Sequence, residues 1–204
     1  MSVFVSESPG NGILPMSTLP WDSKADKNNV IEWHSSGWVE GDVLDTGHRF
    51  GDNAIYLTKN GFKVNGLDIS LTAFIAAEWR AKDAEVEVAF AVTDSTKLDS
   101  YINIVINSGM FHWPNDDGKR SYAATIYRAT RPDATLLINC FSDDNPSDVE
   151  QPLLAFSRKM SQDVLGGANW DIASLEPTTA RREQDSAEIE MTFWYVRTQR
   201  HELG

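Results

Sequence analysis

The chain has almost no cysteine and no long apolar run, and each scarcity excludes a class of protein. Cys140 is the only cysteine among 204 residues, which excludes an internal disulfide framework and argues against a cysteine-based metal cluster. No apolar run approaches the ~20 residues that a membrane-spanning helix needs. The first twenty residues also lack the basic start and apolar stretch of a secretory signal. We therefore expect a cytoplasmic protein without a metal site, in which Cys140 is buried near a strand end.

Positive charge is scarce as well. The sequence has 18 lysines and arginines against 30 aspartates and glutamates, a formal net charge of −12 and a pI near 4.7. Such a surface repels the phosphate backbone of DNA and RNA. We therefore expect no nucleic-acid partner and no membrane partner, and a small molecule is the expected substrate.

The order of apolar and polar segments predicts an α/β fold. Residues 1–20 are rich in Ser, Pro and Gly and predict a flexible N-terminal arm, followed by a single domain over residues 21–204. From Asp42 onward, short apolar strands alternate with helical patterns, as in a parallel sheet with crossover helices. The helix "GKRSYAATIYRAT" is expected to stop before Pro132, and the fifth strand to be "TLLINCFS". Two late strands are expected to pair as a hairpin across a loop of about ten residues.

The stretch "DTGHRFGDN" follows the first predicted strand, and a second strand then ends at Asp68. Ligands of open α/β sheets bind beyond the carboxyl ends of the strands. An acidic residue about 20 positions after a glycine-containing turn is typical of a carboxylate that accepts hydrogen bonds from ribose hydroxyls. The alternative for Asp68 is an acid that interacts with the dipole of the following helix. Ser70 is the predicted N-cap of that helix.

Four ordered motifs resemble those of class I S-adenosylmethionine-dependent methyltransferases. "VLDTGHRFGDNAIYL" and "GLDIS" resemble the first motif and the acidic loop after it, and "AVTDSTKLD" resembles the next motif. "INIVINSGMFHW" through "INCFSD", together with "PWD" at residues 20–22, is similar to small bacterial thiopurine- and quinone-type enzymes. This resemblance implies a Rossmann-like fold. Its sheet would be mostly parallel and seven-stranded with an antiparallel C-terminal strand, and helices would cover both faces.

The resemblance also implies a role for individual residues, with S-adenosylmethionine as the cofactor. Residues at the ends of the first four strands would hold the cofactor and a tryptophan of the arm would cover it: Trp21, Asp45, Gly47, Arg49, Gly51, Asp68, Ile69, Asp94, Ser95 and Asn107. The acceptor would lie against Phe111, His112, Trp113 and Phe141. His112 is the candidate general base for a hydroxyl acceptor, because the ordinary pKa of histidine suits that role. The alternative is that His112 has no catalytic role and is a core or rim residue hydrogen-bonded to backbone groups.

The sequence departs from the family at the turn itself. Arg49 stands where the family has glycine, between His48 and Phe50 where small residues are usual, and the strand-four carboxyls are replaced by the amides Asn103 and Asn107. Two hypotheses follow. The first is methyl transfer to an O, N or S atom of a small molecule such as a phenol, quinol or secondary metabolite. The second is a methyltransferase-like protein that has lost methyl transfer and acts as a cyclase, an isomerase or a small-molecule-binding protein. Either would be a monomer or homodimer.

Overall fold

A seven-stranded sheet organises the molecule. The computed structural model describes residues 27–95, 98, 102–108, 116–145, 155–184 and 187–201. The strand order is β3-β2-β1-β4-β5-β7-β6, with parallel pairing from β3 to β5, and β7 runs antiparallel to both of its neighbours. The expected mostly parallel seven-stranded sheet with one antiparallel C-terminal strand is therefore confirmed.

Strands and helices alternate along the chain. In chain order the elements are α1 Lys27–Ser35, β1 Val43–Thr46, α2 Asp52–Lys59, β2 Val64–Asp68, α3 Leu71–Asp83, β3 Ala89–Val92, β4 Ile102–Ser108, α4 Asp116–Ala129, β5 Thr130–Phe141, α5 Arg158–Ser161 with a π-helical turn Gln162–Gly166, β6 Trp170–Gln184 and β7 Ala187–Arg200.

Local sequence explains where the helices near the site begin and end. The Ser70 hydroxyl accepts a hydrogen bond from the backbone N–H of Ala73 and caps α3, as the sequence predicts. After α2, Gly61 adopts a φ of 89° and its N–H donates to Thr58, while the N–H of Phe62 donates to Leu57. This paired arrangement is a Schellman motif, which requires a residue in left-handed conformation and so favours glycine.

The core has two layers, one on each face of the sheet. Helices α1 and α2 cover one face, where Val30 and Trp33 pack against β1, β4 and β7. Helix α4 and the π-helical turn cover the other, where Tyr122, Ile126 and Leu165 pack. Cys140 is fully buried in this second layer, as expected, and burial raises the pKa of its thiol. The site is therefore built on a sheet that is held from both sides.

The predicted start of β5 was wrong. The strand begins at Thr130, directly after α4, and not at Thr135. The pairing with β4 jumps from Ile102 with Thr130 to Ile104 with Thr135, so the "RPDA" segment forms a bulge within the strand, in which residues 131–133 are exposed and Ala134 is buried. Asp133 adopts a φ of 63° in this bulge, and Pro132 causes no break because a bulged residue donates no ladder hydrogen bond.

The predicted loop between the last two strands was also wrong. β6 continues to Gln184 and β7 begins at Ala187, so only residues 185–186 lie between them. The sequence "LEPTTARRE" contains Pro177, which pairs with Trp194 inside the strand. β6 lies at the edge of the sheet, and an edge strand tolerates proline because one of its sides needs no donor.

Candidate functional site

The strand order reverses between β1 and β4, and this reversal places the candidate site. β2 and β3 extend the sheet on one side of the pair, while β5 to β7 extend it on the other. Crossover connections diverge at such a point and leave a crevice beyond the carboxyl ends of the strands. Thr46, the last residue of β1, pairs with Asn107 near the end of β4.

The turn after β1 requires left-handed backbone at three positions. Gly47, Arg49 and Gly51 have φ angles of 68°, 53° and 77°. The N–H groups of Gly47 and His48 donate to the carbonyl of Leu67 in β2, which ties the turn to the neighbouring strand. A glycine is expected at position 49 on steric grounds, and Arg49 adopts the glycine-like conformation at a free-energy cost.

The two bulky neighbours of Arg49 pack into the layer between the sheet and α3. The His48 ring lies 4.6 Å from the Phe90 ring, and burial lowers its pKa while the nearby charge of Asp68 opposes that change. The guanidinium of Arg80 in α3 lies 4.7 Å above the Phe50 ring. Both side chains are buried, so they are part of the core beneath the turn.

Gly66 provides the room for this packing. An added Cβ at Gly66 would lie 2.4 Å from a ring carbon of Phe90 and 3.0 Å from His48. Gly51 is similarly restricted, since a Cβ there would lie 2.7 Å from Phe90. Gly66 in β2 therefore leaves room for the rings of His48 and Phe90, and Gly51 in the turn leaves room for Phe90.

Asp68 organises the turn through its carboxylate. The backbone N–H of Arg49 donates to Oδ2 at 3.0 Å, and the backbone N–H of Ser70 donates to Oδ1 at 2.8 Å. Each carboxylate oxygen has a further lone pair, and the side chain is half-buried at the carboxyl end of β2. The carboxylate is thus held in a fixed orientation and can still accept hydrogen bonds from a ligand.

Asp45 is the most strongly perturbed acid near the turn. Its carboxylate has 0% exposure, and none of the described residues donates a hydrogen bond to either oxygen with good geometry. The pKa of Asp45 is raised from 3.8 to about 7, mainly by burial and to a smaller extent by the charge of Asp68. The backbone N–H of Ala54 and the charge of Arg49 lower it. A buried carboxylate that is so weakly compensated by its neighbours is well suited to a cationic ligand.

Two neighbouring loops complete this side of the crevice. Ile69, directly after β2, exposes 75% of its side chain, which is unusual for a large apolar residue next to a buried strand. Asp94 and Ser95 follow β3, and the Ser95 hydroxyl is buried with no hydrogen-bond partner among the described residues. The structure therefore brings Asp45, Gly47, Arg49, Gly51 and Asp68 together, with Ile69, Asp94 and Ser95 following the two adjacent strands.

A buried polar network joins β1, β4 and α4. The Thr46 hydroxyl donates to the carbonyl of Ile106 at 3.0 Å and is hydrogen-bonded to the Tyr122 hydroxyl at 2.7 Å. Burial raises the pKa of Tyr122, and its hydrogen bonds with Thr46 and Asn107 oppose that change. Asn107 is fully buried at the end of β4. Sequence reasoning did not select Tyr122, because its burial and its polar partners Thr46 and Asn107 become visible only in the fold.

More buried polar side chains lie toward β5. The Asn29 amide in α1 donates to the Ser108 hydroxyl at 3.3 Å, and Ser108 pairs with Asn139 across the parallel strands. Phe141, at the end of β5, stacks on Phe193 of β7 with ring centroids 4.7 Å apart. Phe141 and Phe193 thus form an aromatic pair at the end of β5.

Comparison with known proteins identifies the family. A family model described as a methyltransferase domain matches residues 43–133. An uncharacterized methyltransferase of Schizosaccharomyces pombe is 30% identical over 114 residues, which cover 54% of this chain and 79% of that protein. The chain belongs to the S-adenosylmethionine-dependent methyltransferases.

Two further relatives of this methyltransferase are informative. The 2-heptyl-1-hydroxyquinolin-4(1H)-one methyltransferase of Mycobacteroides abscessus is 29% identical over 146 residues, which cover 66% of this chain and 64% of that enzyme. The alignment therefore spans just under two thirds of that relative. A solved structure from work on the conversion of a disulfide bond into a thioacetal group during echinomycin biosynthesis is 28% identical, with a TM-score of 0.79, and covers 91% of this chain and 86% of the other.

Four of the predicted site residues of the methyltransferase lie outside the described residues: Trp21, Phe111, His112 and Trp113. Within the described ranges, no cluster of three or more His, Cys, Asp or Glu side chains could hold a metal ion. None of the helices in those ranges is both long enough and apolar enough to span a membrane.

Proposed function

We propose that the protein transfers a methyl group from S-adenosylmethionine to an O, N or S atom of a small molecule. The observation that carries this proposal is the buried carboxylate of Asp45, which receives no hydrogen bond of good geometry from the described residues and lies under the turn at the strand-order switch point. The cofactor has an ammonium group that can supply the missing positive charge. Family membership and a net charge of −12 together favour a small-molecule acceptor over a nucleic acid.

The residues that would hold the cofactor fit its chemical groups. Asp45 would accept from the ammonium, while Asp68, already oriented by two backbone N–H groups, would accept from the ribose hydroxyls. The exposed side chain of Ile69 would cover one face of the adenine. Asp94 and the buried Ser95 hydroxyl would meet the edge of the adenine ring.

Arg49 would bind the carboxylate of the cofactor. Its charge lies close enough to Asp45 to lower the pKa of that carboxyl. A second cation beside the cofactor sulfonium would be unfavourable in a site of low dielectric constant, whereas a salt bridge to the cofactor carboxylate would be favourable. We therefore place the guanidinium of Arg49 at the methionine carboxylate, with Gly47 and Gly51 shaping the loop on either side.

The cofactor, when bound, supplies an activated methyl group, so the protein needs little acid–base chemistry. The protein's part is to hold the acceptor in line with that methyl group and to exclude water, because proximity and orientation supply most of the rate enhancement. Asn107, with its partner Tyr122, would lie nearest to the transferred group. Trp21 would cover the cofactor and His112 would act as the general base for a hydroxyl acceptor.

The acceptor class is best argued from aromatic residues and from the relatives. Phe111, Trp113 and Phe141 would form an apolar wall, which suits a flat aromatic acceptor such as a phenol or quinol. The enzyme of Mycobacteroides abscessus is named for a hydroxylated quinolone, which supports this class. Thiol acceptors stay within the proposal because the echinomycin-related structure concerns sulfur chemistry.

Calorimetry with S-adenosylmethionine and S-adenosylhomocysteine tests the proposal. Asp68→Asn should weaken binding by about 10- to 100-fold, since hydrogen bonds to a charged group contribute about 1.5–3 kcal/mol. Asp83→Asn, an exposed acid at the end of α3, is the matched control and should leave binding unchanged. Mass-spectrometric screening with phenols, quinols and thiols should then detect a methylated product.

The absence of binding at millimolar ligand would refute methyl transfer. The alternative function, a cyclase, an isomerase or a small-molecule-binding protein, would then be preferred. The departures that support this alternative are Arg49 and Asn107. His48 and Phe50 do not support it, because their side chains pack into the core beneath the turn and not into the cofactor site. Tight cofactor binding without any methylated product would instead indicate a use of the bound sulfonium other than methylation.

A further inference from the structure

Lys119 is a buried cation one helical turn from Tyr122, which our proposal puts with Asn107 beside the transferred methyl group. It lies in the first turn of α4, three residues before Tyr122 and therefore on the same face of the helix. A crossover helix runs antiparallel to the strands, so Lys119 lies one turn nearer to the carboxyl edge of the sheet than Tyr122 does. Its ammonium also acts electrostatically on Cys140, the second-last residue of β5. These neighbours place Lys119 above the ends of β4 and β5.

The surroundings of Lys119 compensate its charge poorly. The side chain is only 4% exposed. The ammonium lies 3.5 Å from the Met160 sulfur and 5.9 Å from the centre of the Phe156 ring. Its carboxylate partner is Asp116 at 3.6 Å, whose side chain is 54% exposed.

A lysine ammonium has three hydrogen-bond donors, and these contacts satisfy them weakly. A thioether sulfur is a weak acceptor, and an aromatic face attracts a cation without accepting a directed hydrogen bond. An ion pair with a half-exposed carboxylate is weakened by solvent. A buried charge that is so weakly compensated gains free energy when an anionic oxygen binds beside it.

We propose that Lys119 binds an ionised oxygen of the methyl acceptor and so selects acceptors with an acidic hydroxyl group. This inference rests on the proposed function, because it assigns the acceptor side of the same site. It narrows the acceptor from any O, N or S compound to aromatic or heteroaromatic molecules with a phenol-like or N-hydroxy group. Direct contact between the ammonium and the oxyanion would be a charge-assisted hydrogen bond, which is among the stronger polar contacts.

Two matched pairs of probes test this selection by calorimetry at pH 8. The first pair is 2-heptyl-1-hydroxyquinolin-4(1H)-one and 2-heptylquinolin-4(1H)-one, and the second is 4-nitrophenol and 4-nitroaniline. In each pair only the first member carries the acidic hydroxyl. The wild-type protein should prefer the hydroxylated member of at least one pair by about 10- to 100-fold. Lys119→Met should reduce this preference to about twofold or less, and Lys119→Arg should retain most of it.

The control is Lys159→Met, which removes an exposed lysine from α5 and should keep the wild-type preference. A wild-type protein that prefers neither hydroxylated probe overturns the proposal, as does a Lys119→Met variant that keeps the preference. A purely structural role, in which Lys119 only joins α4 to Met160, would lower the melting temperature and weaken both members of a pair equally. If Lys119→Met does not fold, Lys119→Gln gives the same comparison.

Each titration is performed with and without S-adenosylhomocysteine, which separates the two proposals. If S-adenosylhomocysteine does not bind but the preference for the hydroxylated probe still depends on Lys119, the proposed function fails and the anion site stands. If the cofactor product binds but the preference does not depend on Lys119, methyl transfer stands and the anion site fails.

Discussion

Replacement of Asp45 by asparagine should stabilise the protein, and more at high pH than at low pH. The substitution keeps the shape of the buried side chain and removes its ionisation. Burial raises the pKa of Asp45 in the folded protein to about 7, against an ordinary value of 3.8. Because the unfolded chain releases the proton first, the wild-type protein loses stability as the pH rises from about 4 to about 7. Asp45→Asn does not have this loss.

The size of the effect follows from the same two pKa values. A difference of about 3 pH units corresponds to about 4 kcal/mol once the pH exceeds the folded pKa, and to about 1.5 kcal/mol near pH 5. The advantage of Asp45→Asn over wild type should therefore grow by about 2–3 kcal/mol between pH 5 and pH 8. At an m-value of about 1–3 kcal/mol per molar urea, this is a shift of about 1 M in the unfolding midpoint.

Urea unfolding at the two pH values measures this difference, and the subtraction cancels the titrating groups that do not interact with Asp45. Asp83→Asn, an exposed acid, is the control and should show no pH-dependent difference from wild type. A difference between Asp45→Asn and wild type that does not change with pH would refute the reasoning.

The same variant should bind S-adenosylmethionine more weakly, because an amide cannot neutralise the ammonium. Binding by wild type near pH 6 should release a proton, which calorimetry in buffers of different ionisation enthalpy detects.

Two further substitutions test the turn and its support. Arg49→Gly should stabilise the fold by about 0.5–1 kcal/mol at pH 5, because the strain relieved in the left-handed conformation is larger than the added conformational entropy of the unfolded chain. The same variant should weaken cofactor binding. Tighter binding would show instead that the Arg49 side chain crowds the site. Gly66→Ala should lower the free energy of unfolding by about 1–3 kcal/mol, since the added Cβ would overlap the Phe90 ring. Thermal unfolding measures this change. The control Gly166→Ala should show a far smaller change, because a Cβ there meets no atom within 4 Å.

Sequence reasoning predicted the glycine-containing turn after β1 and the helix cap beside it, because the necessary signals are local. The left-handed turn followed from Gly47 and Gly51, and the capping role of Ser70 followed from its position before an amphipathic helix. Errors occurred where a local signal was overridden by pairing between strands. Pro132 suggested a break that a bulge avoids, and a loop was predicted where β6 continues as an edge strand through and beyond Pro177.

The sequence by itself determined the strand–helix alternation, the family motifs and the position of the acids at the strand ends, because these depend on periodicity and spacing along the chain. Only the tertiary structure decided which side chains are removed from water. It buried Asp45 with no hydrogen bond of good geometry from the described residues, and it enclosed Lys119 between a thioether and an aromatic ring. It also turned His48 and Phe50 into the core. Burial depends on which elements pack over a residue. The free energy of a charged side chain therefore depends on the tertiary structure, because it rises when the side chain is removed from water.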